Sequence, residues 1–168
     1  MTQALWTALP IEAAVLEELR ETDDAGLPCV PYTDEEGGGP LRCCLRPVRA
    51  GERIALVSYA PLRRWAAETW AKPGAYDEQG PVFIHADACA GPAAMDGYPF
   101  ASPGALRVLR RYNAEGRIVG GRLLEIPQTA TEAFDQAFTE AFADPEVALV
   151  HVRAVEYGCF QFAVGRPQ

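Results

Sequence analysis

ALVHVRAVEYGCFQFAV, residues Ala148 to Val164, is the stretch whose reading decides the fold. Two runs of alternating apolar and polar residues flank Val155-Glu156-Tyr157-Gly158. Such alternation marks a half-buried strand, because successive side chains point to opposite faces of a sheet. The segment reads as a β-hairpin. In its first arm Ala148, Val150, Val152 and Ala154 share one face, and Leu149, His151 and Arg153 the other. In its second arm Phe160, Phe162 and Val164 oppose Cys159, Gln161 and Ala163. If both apolar faces cover one core, cross-strand partners must share a face, which sets the parity of the register. His151, Arg153, Cys159 and Gln161 are then expected together, on the face turned away from that core.

Immediately upstream, Thr129-Ala130-Thr131-Glu132 fits a capping box opening a helix, with Phe134, Phe138 and Phe142 recurring on one face until Asp144-Pro145 ends it. Before that, Ala105 to Tyr112 and Arg117 to Ile126 flank Asn113-Ala114-Glu115-Gly116, a second hairpin signal. Pro81 to Ala86 is a short apolar run expected to be a buried strand, and residues 87–104 form a long irregular loop of the kind often used for binding. Leu41 to Val48 and Arg53 to Tyr59 read as a further hairpin around Arg49-Ala50-Gly51-Glu52. Pro61 to Trp70 is expected as a short helix or turn, Pro10 to Arg20 as an amphipathic helix, and residues 23–39 as loop-rich. The fold class expected is α+β, with residues 1–168 forming one domain: a mainly antiparallel sheet built from hairpins with two or three packed helices.

Composition narrows the function classes. A formal net charge of −8 and a pI near 4.8 argue against nucleic-acid or anionic-membrane partners, which need a basic footprint. Lys72 is the sole lysine, so 14 of the 15 basic residues are arginine, a bias expected of a GC-rich bacterial genome. The N-terminus lacks a cationic head followed by an apolar core, which leads us to expect a cytoplasmic protein. In that reducing compartment the five cysteines are expected as free thiols or ligands rather than disulfides.

The chain has two histidines, each followed by a cysteine where a strand meets a turn: His85 by Cys89, and His151 by Cys159. If the backbone stays extended, His85, Asp87 and Cys89 point the same way. An imidazole beside a thiol is what an activated cysteine needs, and two histidines with two cysteines make a nitrogen and sulfur set suited to tetrahedral zinc. The structural alternative for each is a satisfied buried imidazole or a cysteine packed as a small hydrophobe. Cys43 and Cys44 are expected on opposite sides of their strand and Cys29 in a loop, so none of these three has a signal of activation. Arg107 and Arg111 share a face with Leu109 in ALRVLRRY, with Arg110 opposite, and arginines suit a bound carboxylate or phosphate. No phosphate-binding glycine loop, nucleophile elbow or H-E-x-x-H motif is present.

Four motifs in order, PLRCCLRPVRAGERIALVSYAP (Pro40 to Pro61), GPVFIHADACAG (Gly80 to Gly91), LRVLRRYNAEGRIVGG (Leu106 to Gly121) and DPEVALVHVRAVEYGCF (Asp144 to Phe160), resemble the bacterial domain of unknown function 1203 family. The resemblance marks Arg42, Glu52, Gly80, Pro81, Phe83, Arg107 or Arg110, Tyr112, His151, Gly158 and Cys159 as the shared residues. Leu41 stands where some members carry a cysteine. The family implies no particular activity or cofactor. The expectation we carry forward is a small enzyme acting on a small, anionic molecule. His85 and His151 would serve as acid or base, Cys89 and Cys159 as candidate nucleophiles, and Arg107, Arg111, Tyr112 and Arg153 as substrate-binding residues. The cofactor is left unnamed, and a homodimer is compatible with this reading. A non-catalytic binding or interaction module and a His/Cys zinc protein are the alternatives.

Overall fold

The computed structural model describes residues 3–167. Its elements run α1 (Ala13–Leu19), β1 (Tyr32–Asp34), β2 (Glu52–Tyr59), α2 (Pro61–Thr69), β3 (Gly80–His85), β4 (Leu106–Tyr112), β5 (Ile118–Glu125), α3 (Ala130–Ala143), β6 (Leu149–Ala154) and β7 (Phe160–Gly165). The fold is α+β. Its strands form two antiparallel sheets, ordered β1-β2-β3 and β5-β4-β6-β7. No helix among the described residues is long and apolar enough to cross a membrane.

One core lies between α3 and the four-stranded sheet. Phe134, Ala137, Phe138, Ala141 and Phe142 recur at helical spacing and meet Leu109, Val150, Val152, Phe162 and Val164 from the strands. The capping box expected at Thr129 does not form, since that residue makes no side-chain cap bond. Its place is taken by tertiary anchoring. Tyr98, from the irregular stretch before β4, packs on Phe134 and Phe138 and donates its hydroxyl to Asp135 at 2.6 Å.

The second core gathers Leu16 and Leu19 of α1 with Ala55, Val57 and Tyr59 of β2 and Val82 and Ile84 of β3. Phe160 of β7 belongs to it as well, 5.7 Å from Tyr59 between ring centroids. This corrects the expected faces of the closing hairpin. Between Val152 and Arg153 the register slips, so that Val152 pairs with Phe162 and Arg153 with Phe160, leaving Gln161 as an extra residue. Such a bulge reverses the parity of everything beyond it. Phe162 faces α3, whereas Phe160 joins His151 and Arg153 on the opposite face.

That opposite face is not solvent-exposed. His151 is 1% exposed and Gln161 4%, so two residues expected on an outward polar face are interior. The reason is the second layer: α1, α2 and the three-stranded sheet supply a cover that a single sheet would lack. A second correction concerns residues 41–48, which are a turn rather than a strand. Pro40 and Pro47 bridge to each other, Leu45 N–H returns to the Leu41 carbonyl at 3.0 Å, and Leu45 takes a positive φ of 56°. β2 therefore pairs with β1 and β3 instead of with this segment.

Candidate metal centre

The turn at residues 41–48 lies along the outer edge of β3. Leu41 forms a parallel bridge with Phe83, and Arg42 N–H donates to the Phe83 carbonyl at 2.9 Å. Because the chain turns here instead of alternating, Cys43 and Cys44 do not diverge; their sulfurs are 3.9 Å apart. His85, the last residue of β3, presents Nδ1 to both, 3.5 Å from Cys43 Sγ and 3.8 Å from Cys44 Sγ. After His85 the backbone bends at Ala86 and Asp87, and Cys89 returns to the same place. The donor atoms of Cys43, Cys44, His85 and Cys89 all lie within 4.8 Å of one another. Asp87 is not among them, because the bend breaks the extended geometry expected of His85-Ala86-Asp87-Ala88-Cys89.

The imidazole is held from behind. Nε2 lies 2.8 Å from Glu52 Oε2, and a carboxylate can only accept, so Nε2 carries a proton and Nδ1 is the ring nitrogen turned toward the sulfurs. Glu52 is fixed in turn by the Arg46 fork, with two bonds of 2.8 Å, and by the Arg49 N–H at 2.7 Å. The Arg46 fork and these other donors hold the Glu52 carboxyl well below its ordinary range. A carboxylate that orients a histidine is a recurrent support of metal-bound imidazole. The β3 end is also tied to α1, where Arg20 Nε donates to the His85 carbonyl at 3.1 Å.

The thiols differ. Burial pushes Cys43 up to about 12 and raises Cys44. Burial also raises Cys89, but hydrogen bonds from the Gly91 backbone, His85 and Cys43 outweigh it and leave this thiol below its ordinary value. Cys43 and Cys44 are buried, and Cys89 and His85 are half-buried. Three sulfurs and one imidazole nitrogen form a soft, tetravalent donor set of the kind that holds zinc in closed sites.

Of the residues singled out from the sequence, His85 and Cys89 come together here, and His151 and Cys159 lie elsewhere. His151 packs against Tyr112 and Phe160, with ring centroids at 4.7 and 5.0 Å. Burial, followed by the charges of Arg153 and Arg110, pushes it down to about 3, so it is neutral at ordinary pH. Cys159 lines a cleft with Arg153, Tyr157 and Glu78. Arg153 donates to the Gly158 carbonyl at 3.0 Å and closes the hairpin turn. Tyr112, 1% exposed, is interior to the same face.

Arg107 and Arg111 lie across the sheet from Tyr112 and Arg153, sharing a face with Leu109 as expected from the alternation. Arg107 donates to the Phe100 carbonyl at 2.9 Å and the Leu106 carbonyl at 2.7 Å, pinning the irregular stretch before β4. The strand reading hid Cys43 and Cys44. A signal that could have found them is the pair of prolines, Pro40 and Pro47, that bracket the adjacent cysteines and favour a turn. Arg42, marked by the family resemblance, is buried and donates Nε to the Phe160 carbonyl at 2.8 Å, joining the cysteine turn to β7.

The architecture and donor set define an α+β protein with a His/Cys cluster at the edge of its smaller sheet. The comparisons agree with the motif pattern. Residues 38–166 match the family model described as protein of unknown function (DUF1203), and the chain belongs to that family. The whole His/Cys cluster falls inside the matched span. No curated protein and no solved structure matches the chain.

Proposed function

We propose that this chain is a zinc-binding protein whose Cys43, Cys44, His85 and Cys89 supply all four ligands. The observation that carries this reading is the convergence of four soft donors from two segments about forty residues apart on one point, within 4.8 Å. The arrangement of Glu52 behind His85 supports it, because that carboxylate selects the tautomer a metal requires. Four protein ligands leave no open position, so the role supported is to fasten the residue 41–48 turn to the end of β3. Protein prepared without chelators should carry about one zinc per chain, and a Cys43→Ser, Cys89→Ser variant should carry none. Glu52→Gln should retain the metal but weaken its affinity roughly 10- to 100-fold in chelator competition. Zinc well below one equivalent, or undiminished binding by the double variant, would sink this reading.

A second reading uses the same cluster as an enzyme site on a small anionic substrate, with Cys89 as nucleophile and His85 as its acid or base. It is favoured by the half-exposed position of Cys89, the one cluster thiol that solvent-borne reagents reach beside an imidazole. Metal-free protein would then alkylate at Cys89 faster than at Cys29, which is also half-buried. Equal rates would remove it.

A further inference from the structure

An apolar-walled cleft lies away from the cysteines, between the start of α1, α2 and the hairpin face that carries His151. Its walls include Val15, Tyr59, Trp65, Leu149 and Phe160, and it encloses about 200 Å³. This is slightly more than the roughly 150 Å³ cavity that accepts a benzene ring. Two features make it more than a packing gap. His151 forms part of its wall, 1% exposed, and its Nδ1 is buried with no hydrogen-bond partner. Buried polar atoms without partners are rare, and one in the wall of a cleft is a place for a ligand atom.

The second feature is charge at the rim. Glu12 and Glu68 both line the cleft, close enough for hydrogen bonding to each other, and among the described residues neither forms an ion pair with a cation. The neighbouring Glu12 carboxylate, with burial, raises the Glu68 carboxyl above its ordinary value. Arg64 also lines the cleft, but its guanidinium is committed to Asp24 at 2.7 Å and to Glu18. Two adjacent carboxylates at the mouth of an aromatic-walled cleft favour a positive group, which the faces of Trp65 and Tyr59 also attract.

We propose that this cleft binds a small aryl- or alkyl-amine, its apolar body between Trp65, Tyr59 and Phe160 and its ammonium between Glu12 and Glu68. This site shares no residue with the zinc ligands and does not rest on the metal reading.

The test uses the full-length protein and three single-ring probes of matched size: 2-phenylethylamine, 2-phenylethanol and phenylacetate. Binding is followed by calorimetry and by the backbone amide signals of Trp65 and Ala163. The amine should bind at least about tenfold more tightly than the alcohol, and the acid should bind least, as expected for an ammonium placed between carboxylates. In a Glu12→Gln, Glu68→Gln variant, amine and alcohol should become equivalent while the ring still perturbs Trp65. Glu12 precedes α1 and both side chains lie at the surface, so the variant should keep the fold, as checked by its amide spectrum. Equal binding of amine and alcohol to the unaltered protein, tightest binding of the acid, or perturbations that avoid Trp65 and Ala163 would each overturn the proposal.

Discussion

A neutral histidine packed between Tyr112 and Phe160 ties stability to pH in a window that opens above that of the carboxylates. His151 is pushed from 6.5 to about 3 in the folded protein, so in that interval the unfolded chain binds a proton that the native protein does not. Stability is fully present above about pH 6.5 and declines as the pH falls through that window. Lowering the pH from about 6.5 to about 5 should cost about 2 kcal/mol through this residue. His151→Phe keeps the aromatic packing and should flatten that part of the profile, as read from urea midpoints; an unchanged slope would contradict it. At this scale the sequence was partly legible. His85 and Cys89 stood out because imidazole and thiol are rare here and lay at a strand end. Cys43 and Cys44 did not, because their chemistry depends on a turn that local alternation disguised as a strand. His151 was visible as a residue but not as a buried one, since its cover comes from elements distant in sequence.

The irregular segment at residues 87–104 shows how an element without regular hydrogen bonding is held. Tyr98 inserts into the α3 core, and Gly97 before it adopts φ +77° with the Thr131 hydroxyl where a β-carbon would stand. A side chain at Gly97 would meet the Thr131 hydroxyl and strain the left-handed backbone together. Gly97→Ala should therefore destabilise the protein by roughly 1–2 kcal/mol, with faster amide exchange at the start of α3 as the local signature. A variant as stable as the parent would show that this contact does not clamp the segment. The helix and strands themselves were readable: the phenylalanine spacing marks α3, and the turn residues at 113–116 mark the β4–β5 hairpin. The closing hairpin was readable except for its bulge. One unpaired residue, Gln161, leaves no trace in the alternation, because Phe160 and Phe162 are both apolar and only the existence of two cores tells them apart.

Across the molecule, the two sheets are joined where Phe160 and Arg42 meet, and the family's matched span begins after α1 and β1 and covers the other six strands. The α+β class followed from the order of hairpins and helices, but their division into two sheets did not, since pairing between β2 and β3 spans residues far apart in the chain. The residue 41–48 turn has one more consequence. β3 reads Gly80-Pro81-Val82-Phe83-Ile84-His85, and beyond the Leu41 bridge its outer edge has no further strand among the described residues. An apolar strand with an open edge is a template for pairing with other chains. On the zinc-binding proposal, the fastened cysteine turn would act as a guard against self-association. Stripping the metal with a chelator should raise light scattering at micromolar protein, and restoring zinc before aggregation should suppress it. Indifference to chelator would separate the edge from the metal. For a strand of this composition, the four ligands would then matter less for what they bind than for keeping each molecule from recruiting the next.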